Sequence, residues 1–172
     1  MRALVVYESM FGNTEAVARA VAAGLRTRYE VELSPVTEAA GRPAPEVDLL
    51  VVGGPTHAFG LSRPATRKDA ASRVPGPVPA ELGVRDWLDA AFPVSPPRAA
   101  AAFGTKMTEP RWLPGSAAKG IAKRLRRLGY RLAGAPADFH VDGMTGPVTA
   151  GELDRASAWG AELAAAAHPA AR

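Results

Sequence analysis

Short apolar runs alternate with segments of helical periodicity along this chain. The apolar run at residues 2–7 is followed by Val17, Val21 and Leu25, whose spacing places them on one face of a helix. Such alternation is typical of β/α units built on a parallel sheet. We therefore predict five strands, at residues 2–7, about 29–36, 47–53, 98–103 and about 130–141, the last interrupted by Pro136.

Helical spacing predicts three more helices between the later strands and one at the end of the chain. They lie near residues 63–74, near 83–91, at about 116–128, and after Thr149–Glu152, which has the spacing of a capping box. Ser116 and Lys119 match the Ser-x-x-Lys pattern of penicillin-recognising enzymes, but its companion motifs are absent from the sequence. Ser116 is therefore predicted to begin a helix.

Length and composition limit the classes of function. The 172 residues suit one domain, predicted at residues 1–168 with a short tail at 169–172. The absence of cysteine excludes disulfides, thiolate metal sites and a cysteine nucleophile, so redox chemistry here requires a bound cofactor. We predict no metal site and no catalytic side chain. The first apolar run is too short for a signal peptide or a membrane span, so we expect a cytoplasmic protein that does not bind membranes.

The charge of the chain is concentrated in one segment. Residues 98–131 carry nine basic side chains against Glu109, whereas the whole chain has a net charge of +4. This segment is interpreted either as a solvated helix face or as a docking surface for an acidic partner. No aromatic residues interleave the basic helix, so nucleic acid is not an expected partner.

The loops after strands one and three are predicted to face each other, because ligands bind an open parallel sheet at the carboxyl ends of its strands. The first loop, residues 9–14, lacks both the lysine of a P-loop and the glycine pattern of a dinucleotide fold. It offers the hydroxyls of Ser9 and Thr14, the amide of Asn13 and the flexible Gly12, at the positive end of helix one. These uncharged donors predict a site for a phosphate monoester.

Both loops resemble those of the flavodoxins and related FMN proteins. Ser9-Met10-Phe11-Gly12-Asn13-Thr14 matches the Thr/Ser-x-Thr-Gly-x-Thr phosphate loop of that family, with Phe11 as the departure. Gly-Gly-Pro-Thr at 53–56 extends the resemblance, which covers nearly the whole chain. The resemblance implies an α/β fold, a flavodoxin-like doubly wound three-layer sandwich whose five-stranded parallel sheet has the order 2-1-3-4-5, and FMN as the cofactor.

The same resemblance implies a set of cofactor contacts. Thr56 is expected to donate to the flavin and His57 or Phe59 to cover a face of its ring, while Gly60 lies where a peptide could flip on reduction. Phe59 could instead be core, and His57 could be a surface turn residue. The implied contacts are Ser9, Met10, Phe11, Gly12, Asn13, Thr14, Pro55, Thr56, His57, Ala58, Phe59, Gly60, Gly104, Thr105 and Lys106.

Three hypotheses for the function follow. The leading one is an FMN-binding electron carrier that serves a reductase and an acceptor, with Lys106 or Arg111 making the flavin potential less negative. The second is an FMN-dependent NAD(P)H:quinone oxidoreductase, which needs room for a second ring above the flavin. The third is a nonenzymatic adaptor that keeps the fold, binds no FMN and works through its basic helix.

Overall fold

The computed structural model describes residues 1–42, 46–110 and 114–166, so Arg111 and the tail at 169–172 lie outside the described residues. The described strands are β1 (Arg2–Tyr7), β2 (Glu30–Pro35), β3 (Leu49–His57), β4 (Gly60–Leu61), β5 (Ala99–Met107), β6 (Arg131–Leu132) and β7 (Ala137–Val141). The described helices are α1 (Asn13–Leu25), α2 (Val36–Ala39), α3 (Pro64–Ser72), α4 (Val84–Asp89), α5 (Ala117–Arg127) and α6 (Glu152–Ala166). None of these helices combines the length and the hydropathy needed to cross a bilayer.

The parallel strands lie in the order β2-β1-β3-β5, with β6 and β7 sharing the fifth position beside β5. The first two residues of β5 pair with β6, and residues 103–107 pair with β7. Pro136 lies between β6 and β7, where the predicted interruption of the last strand falls. The predicted five-position parallel sheet of order 2-1-3-4-5 is therefore confirmed, with β4 added as a short antiparallel strand on β3.

Two layers of helix cover the sheet because its central strands are apolar on both faces. Val5 and Val51 belong to the core cluster under α1 and α6, whereas their neighbours Val6 and Val52 belong to the cluster under α4 and α5. All four side chains are fully buried. Alternation of strand side chains between two faces thus produces the predicted three-layer sandwich.

Helices α1 and α6 approach each other closely through glycine. A Cβ atom added to Gly24 would overlap the backbone carbonyl of Ser157, and one added to Gly160 would overlap the carbonyl of Val21. Gly24 belongs to the buried face of α1, and Gly160 belongs to the buried face of α6. The contact fixes α1 firmly on the sheet, and its amino end points to the carboxyl edge of the strands.

The central strands are longer than the apolar runs predict. β3 continues to His57 and β5 to Met107, four residues beyond each predicted end. Residues 53–55 of β3 pair in register with residues 103–105 of β5, so the ladder continues through glycine, proline and threonine. Part of the predicted loop after strand three, and the residues directly after predicted strand four, are therefore strand, which makes this side of the site more rigid than a loop.

The first turn of α6 differs from the predicted capping box. The Thr149 hydroxyl donates to Asp142 Oδ1 at 2.7 Å, and the Glu152 carboxylate accepts from the backbone N–H of His140 at 2.7 Å. The backbone N–H of Thr149 donates to the His140 carbonyl rather than to Glu152. The capping-box prediction is wrong because the two side chains bind Asp142, directly after β7, and His140 of β7 instead of each other's backbone.

The predicted start of α5 at Ser116 is confirmed, since the Ser116 hydroxyl accepts from the Lys119 N–H at 3.1 Å.

Candidate functional site

A cavity of about 260 Å³ opens at the carboxyl ends of β1, β3 and β5. This is the edge at which the strand order reverses, as predicted for the ligand site. Twelve of the fifteen sequence-predicted contacts line it. They are Ser9, Met10, Phe11, Asn13, Thr14, Pro55, Thr56, His57, Ala58, Phe59, Thr105 and Lys106.

The head of α1 forms one end of the cavity. Gly12 ends the loop with φ +89°, and no side chain caps the helix. The Gly12 N–H donates to Ser9 Oγ at 3.2 Å, which folds the loop back on itself. Since the first N–H groups of a helix have no intrahelical partner, those of α1 remain available for an anion.

Two side chains connect this helix terminus to the rest of the sheet edge. The buried hydroxyls of Thr14 and Thr105 lie 2.7 Å apart. The Asn13 amide lies against Gly146, where an added Cβ would overlap it. Gly146 belongs to the loop after β7, and Met144 of the same loop lines the cavity. Strands β1, β5 and β7 thus all contribute to the end of the cavity at the α1 terminus.

A tight hairpin between β3 and β4 forms one wall. His57 pairs with Gly60, and the two residues between them have positive φ, 39° at Ala58 and 80° at Phe59. The Phe59 backbone packs directly against Gly115, whose own φ is +110°. The Phe59 side chain is 61% exposed at the mouth of the cavity. The alternative of Phe59 as core is therefore wrong, because the turn directs its ring outward.

Polar groups of the hairpin and of β5 tie this wall to the start of α5. The Thr56 hydroxyl accepts from the Ala117 N–H at 3.1 Å and keeps its own proton available to a ligand. Lys106 Nζ donates to the Gly115 carbonyl at 3.2 Å, which holds a positive charge at the cavity wall. The wall is thus fixed in position by backbone groups from residues 115–117.

His57 is half-buried at the end of β3, so the alternative of a surface turn residue is also wrong. Its Nδ1 lies 3.3 Å from Thr66 Oγ1. Burial lowers the pKa of the imidazole, and the positive charge of Arg67 lowers it further. His57 is therefore neutral at pH 7, and it offers the cavity a polar aromatic face without a charge.

Helix α3 supplies lining residues that the sequence analysis missed. They recur at the i, i+3, i+4 and i+7 spacing of one helix face, a signal that is visible in the sequence. The spacing alone does not assign these residues to a site, because two of them are charged and α3 carries no motif. The missed residues are Thr66, Asp69 and Ala70 on α3, Arg73 directly after it, and Pro114, Gly115, Val141 and Met144 elsewhere.

Three predicted contacts do not line the cavity: Gly12, Gly60 and Gly104. Gly104 is buried between β5 and α5, where an added Cβ would lie 2.7 Å from Asp138 Oδ1 and 2.9 Å from the Ala118 backbone nitrogen. Its role is therefore close packing. Gly12 shapes the turn before α1, and Gly60 pairs with His57 in the hairpin.

A buried polar network lies directly beneath the hairpin. The Glu8 carboxylate accepts from the Ser62 hydroxyl and, at 2.9 Å, from the Val84 N–H. Arg67 is 0% exposed and donates to Ser62 Oγ at 2.9 Å and to Asp86 Oδ2 at 2.6 Å. The network joins β1, the hairpin, α3 and α4. The hydrogen-bond donors to Glu8 are more than 50 residues away in sequence, so no local spacing predicts them.

Burial raises the pKa of Glu8, although its hydrogen bonds from Ser62 and Val84 and the charge of Arg67 oppose the rise. The carboxyl group lies on the α4 side of β1, behind the cavity wall. It does not line the cavity, so its role is to hold the hairpin and α4 together.

Solved flavodoxins have the same architecture over nearly their whole length. The chain superposes on a flavodoxin from the domain Archaea with a TM-score of 0.63 and 19% identity, covering 97% of this chain and 99% of that one. For oxidised flavodoxin 2 from Bacillus cereus the TM-score is 0.61 at 18% identity, with 95% and 98% covered. The chain has a flavodoxin-like fold.

A further flavodoxin-like relative in structure is a WrbA-like protein from Agrobacterium tumefaciens, with a TM-score of 0.58, 19% identity and 96% of each chain covered. No family model and no curated protein matches the sequence. At these identities the similarity defines the flavodoxin-like fold, and the chemistry must be argued from the residues of the cavity.

Proposed function

We propose that this protein binds FMN noncovalently in the cavity and works as an electron carrier. One observation carries the proposal. The cavity begins at the uncapped head of α1 and continues to the hairpin and β5, so a single ligand could place an anion at one end and a ring system at the other. Flavodoxin-like folds of known structure support this choice of ligand.

The donors at the α1 end fit a phosphate monoester. They are uncharged: the hydroxyls of Ser9 and Thr14, the Asn13 amide and the free N–H groups of the first helical turn. A helix terminus with oriented N–H groups stabilises an anion without a basic side chain. A dinucleotide such as FAD has no terminal phosphate monoester to place at this end of the cavity.

The other end fits a flat, partly apolar ring. The hairpin offers the Thr56 hydroxyl and the exposed Phe59, while β5 offers Lys106. When bound, the flavin supplies the redox chemistry, and the protein contributes position and electrostatics. The positive charge of Lys106 favours an electron-rich ligand at this wall.

Titration of the purified protein with FMN, FAD and riboflavin, followed by visible absorbance and flavin fluorescence, tests the proposal. We expect FMN to bind tightest, since it alone of the three ends in one phosphate monoester. Equal affinity for FMN and riboflavin would contradict a phosphate site at the head of α1. Absence of binding by all three would favour the adaptor hypothesis, in which the fold is kept without flavin.

A second candidate is an FMN-dependent NAD(P)H:quinone oxidoreductase, and the α3 side of the cavity favours it. Thr66, Asp69, Ala70 and Arg73 extend the lining beyond the predicted loops. This extension could hold a second ring over the first. Steady oxidation of NADPH in the presence of a quinone and FMN, without any added reductase, would identify an oxidoreductase. Absence of turnover would favour the electron carrier.

An electron carrier needs a donor and an acceptor. We expect a reductase and an acceptor protein in the cytoplasm, since a bound flavin passes on only the electrons that another molecule supplies. Reduction of the FMN-loaded protein by NADPH with and without a purified flavin reductase measures this dependence.

A further inference from the structure

Arg85 of α4 is held on the surface by backbone groups beside the hairpin. Its Nε donates to the Ser62 carbonyl at 3.0 Å, and its Nη2 donates to the Leu61 carbonyl at 2.9 Å. Arg63 follows these two residues directly and is exposed. The two guanidinium groups therefore belong to one surface, and the position of Arg85 is fixed before any partner arrives.

Helix α5 continues this surface. Arg124 donates to Asp89 of α4 at 2.7 Å and to the Gly120 carbonyl at 3.4 Å, and Gly120 packs on Leu61. Four-residue spacing places further basic side chains in a row on the exposed side of α5. This row consists of Lys119, Lys123 and Arg127.

We call these residues the basic surface: Arg63, Arg85, Lys119, Lys123, Arg124 and Arg127. Among the described residues, Asp89 is the acid in ion-pair contact with it, through Arg124. Asp86 is already paired with the buried Arg67. The positive charges of Arg63 and Arg124 lower the pKa of Arg85, after the larger effect of burial. Like charges are thus held near one another, an arrangement that an acidic partner would stabilise.

The basic surface adjoins the cavity. Arg63 immediately precedes α3, which lines the cavity from Thr66 onward. Arg85 binds the residues that end the hairpin, and Lys119 lies in the first turn of α5, close in sequence to the lining residue Gly115. A protein that covered the basic surface would therefore also reach the cavity mouth and its exposed Phe59.

We propose that the basic surface docks an acidic electron-transfer protein against the cavity mouth. That the partner transfers electrons rests on the proposed function. The sequence predicts a docking surface for an acidic partner at residues 98–131, and the structure adds Arg63 and Arg85 to it. Complementary charge steers association and orients the partner, and salt weakens it.

An acidic protein fits this surface better than nucleic acid does. The row on α5 contains no aromatic side chain on which a base could stack. Of the exposed aromatic residues, Phe59 lies at the cavity mouth and Phe92 follows α4, so neither belongs to the row on α5. A partner therefore meets charge on one side and the apolar Phe59 on the other, as in the polar rim and the apolar core of a protein interface.

The experiment measures the dissociation constant for a plant-type [2Fe–2S] ferredoxin, used as an acidic probe protein, by calorimetry at low ionic strength. The variant Arg63→Glu/Lys123→Glu reverses two charges on the basic surface. Arg26→Glu/Arg28→Glu is the matched control, because it makes the same charge change at exposed positions after α1. We expect the first variant to weaken binding about tenfold and the control far less.

Equal weakening by both variants would show an effect of net charge and overturn the proposal, as would wild-type binding that salt does not weaken. Preferential binding of a single-stranded DNA oligonucleotide over ferredoxin, lost in the first variant, would also overturn it. Arg85→Gln, checked for folding by circular dichroism, is a second test of the surface and should weaken ferredoxin binding. The measurement needs no flavin, so failure of the FMN titration and failure of docking are distinguishable.

Discussion

The Thr14 and Thr105 hydroxyls form a buried hydrogen bond of 2.7 Å between the first turn of α1 and the end of β5. A hydroxyl has one proton to donate and two lone pairs. If Thr105 donates to Thr14, the Thr14 proton is free to donate to an anion at the helix terminus. Thr105 would then orient a phosphate-binding hydroxyl without contacting the phosphate itself.

The first prediction concerns this pair. Thr14→Val should weaken FMN binding by about 1 kcal/mol or more, and Thr105→Val by somewhat less, because one removes the donor and the other its orientation. Riboflavin affinity, measured by the same fluorescence titration, should change little. Thr27→Val is the control, since Thr27 follows the other end of α1, bonds the Gly24 carbonyl through its hydroxyl and does not line the cavity. Equal losses for FMN and riboflavin would contradict the assignment of this end to phosphate.

The second prediction concerns Lys106. Its ammonium group, held at the Gly115 carbonyl, should favour the added negative charge of reduced flavin by about 1 kcal/mol. Lys106→Gln should therefore make the midpoint potential of bound FMN more negative by tens of millivolts in a redox titration. Lys68→Gln removes the same charge from an exposed position of α3 outside the lining. A matching shift in both variants would mean that net charge, and not the position of Lys106, sets the potential.

The third prediction concerns Gly115, which supports the tip of the hairpin. In Gly115→Ala the new methyl group would overlap the Phe59 backbone at a residue whose φ is +110°. We expect the free energy of unfolding in urea to fall by more than about 2 kcal/mol, and FMN affinity to fall with it. Gly76→Ala carries the same kind of backbone strain, at φ +98°, but has open space around it. It should lose only about 1 kcal/mol and leave FMN affinity unchanged.

The fourth prediction concerns Glu8. Because burial raises its pKa in the folded state above the ordinary value of 4.5, the folded protein binds the proton more tightly than the unfolded chain does. The contribution of Glu8 to stability is therefore complete below pH 4.5 and is lost as the pH rises through the folded pKa. Urea unfolding across this range should show a fall in stability that Glu8→Gln flattens. An identical pH profile in wild type and variant would contradict the raised pKa.

The apolar pattern was sufficient to predict the sheet, since buried runs such as residues 49–52 need no partner information to be recognised as strands. The ends of the central strands were not predictable in this way. Residues 53–57 contain glycine, proline, threonine and histidine. Residues 53–55 stay in the sheet because residues 103–105 pair with them, and residues 56–57 pair with β4. Register with a distant strand is a tertiary property, and no local pattern reports it.

The polar residues of the site also differ in whether the local sequence predicts them. The loop at 9–14 could be recognised because its donors are contiguous and precede a helix. Arg67 gave no comparable signal, since an arginine on a short helix ordinarily faces water. Its burial depends on Ser62, Ala80 and Asp86, which lie 5 to 19 residues away and meet only after α3 and α4 have packed.

The division of the outermost strand position into β6 and β7 has a consequence for self-association. Two short strands separated by Pro136 present no long, continuous row of unpaired backbone groups to another chain. At the opposite border, β2 carries the exposed charges of Glu30 and Glu32. Both borders therefore resist the addition of a foreign strand, which should keep the protein from fibril-like aggregation at high concentration.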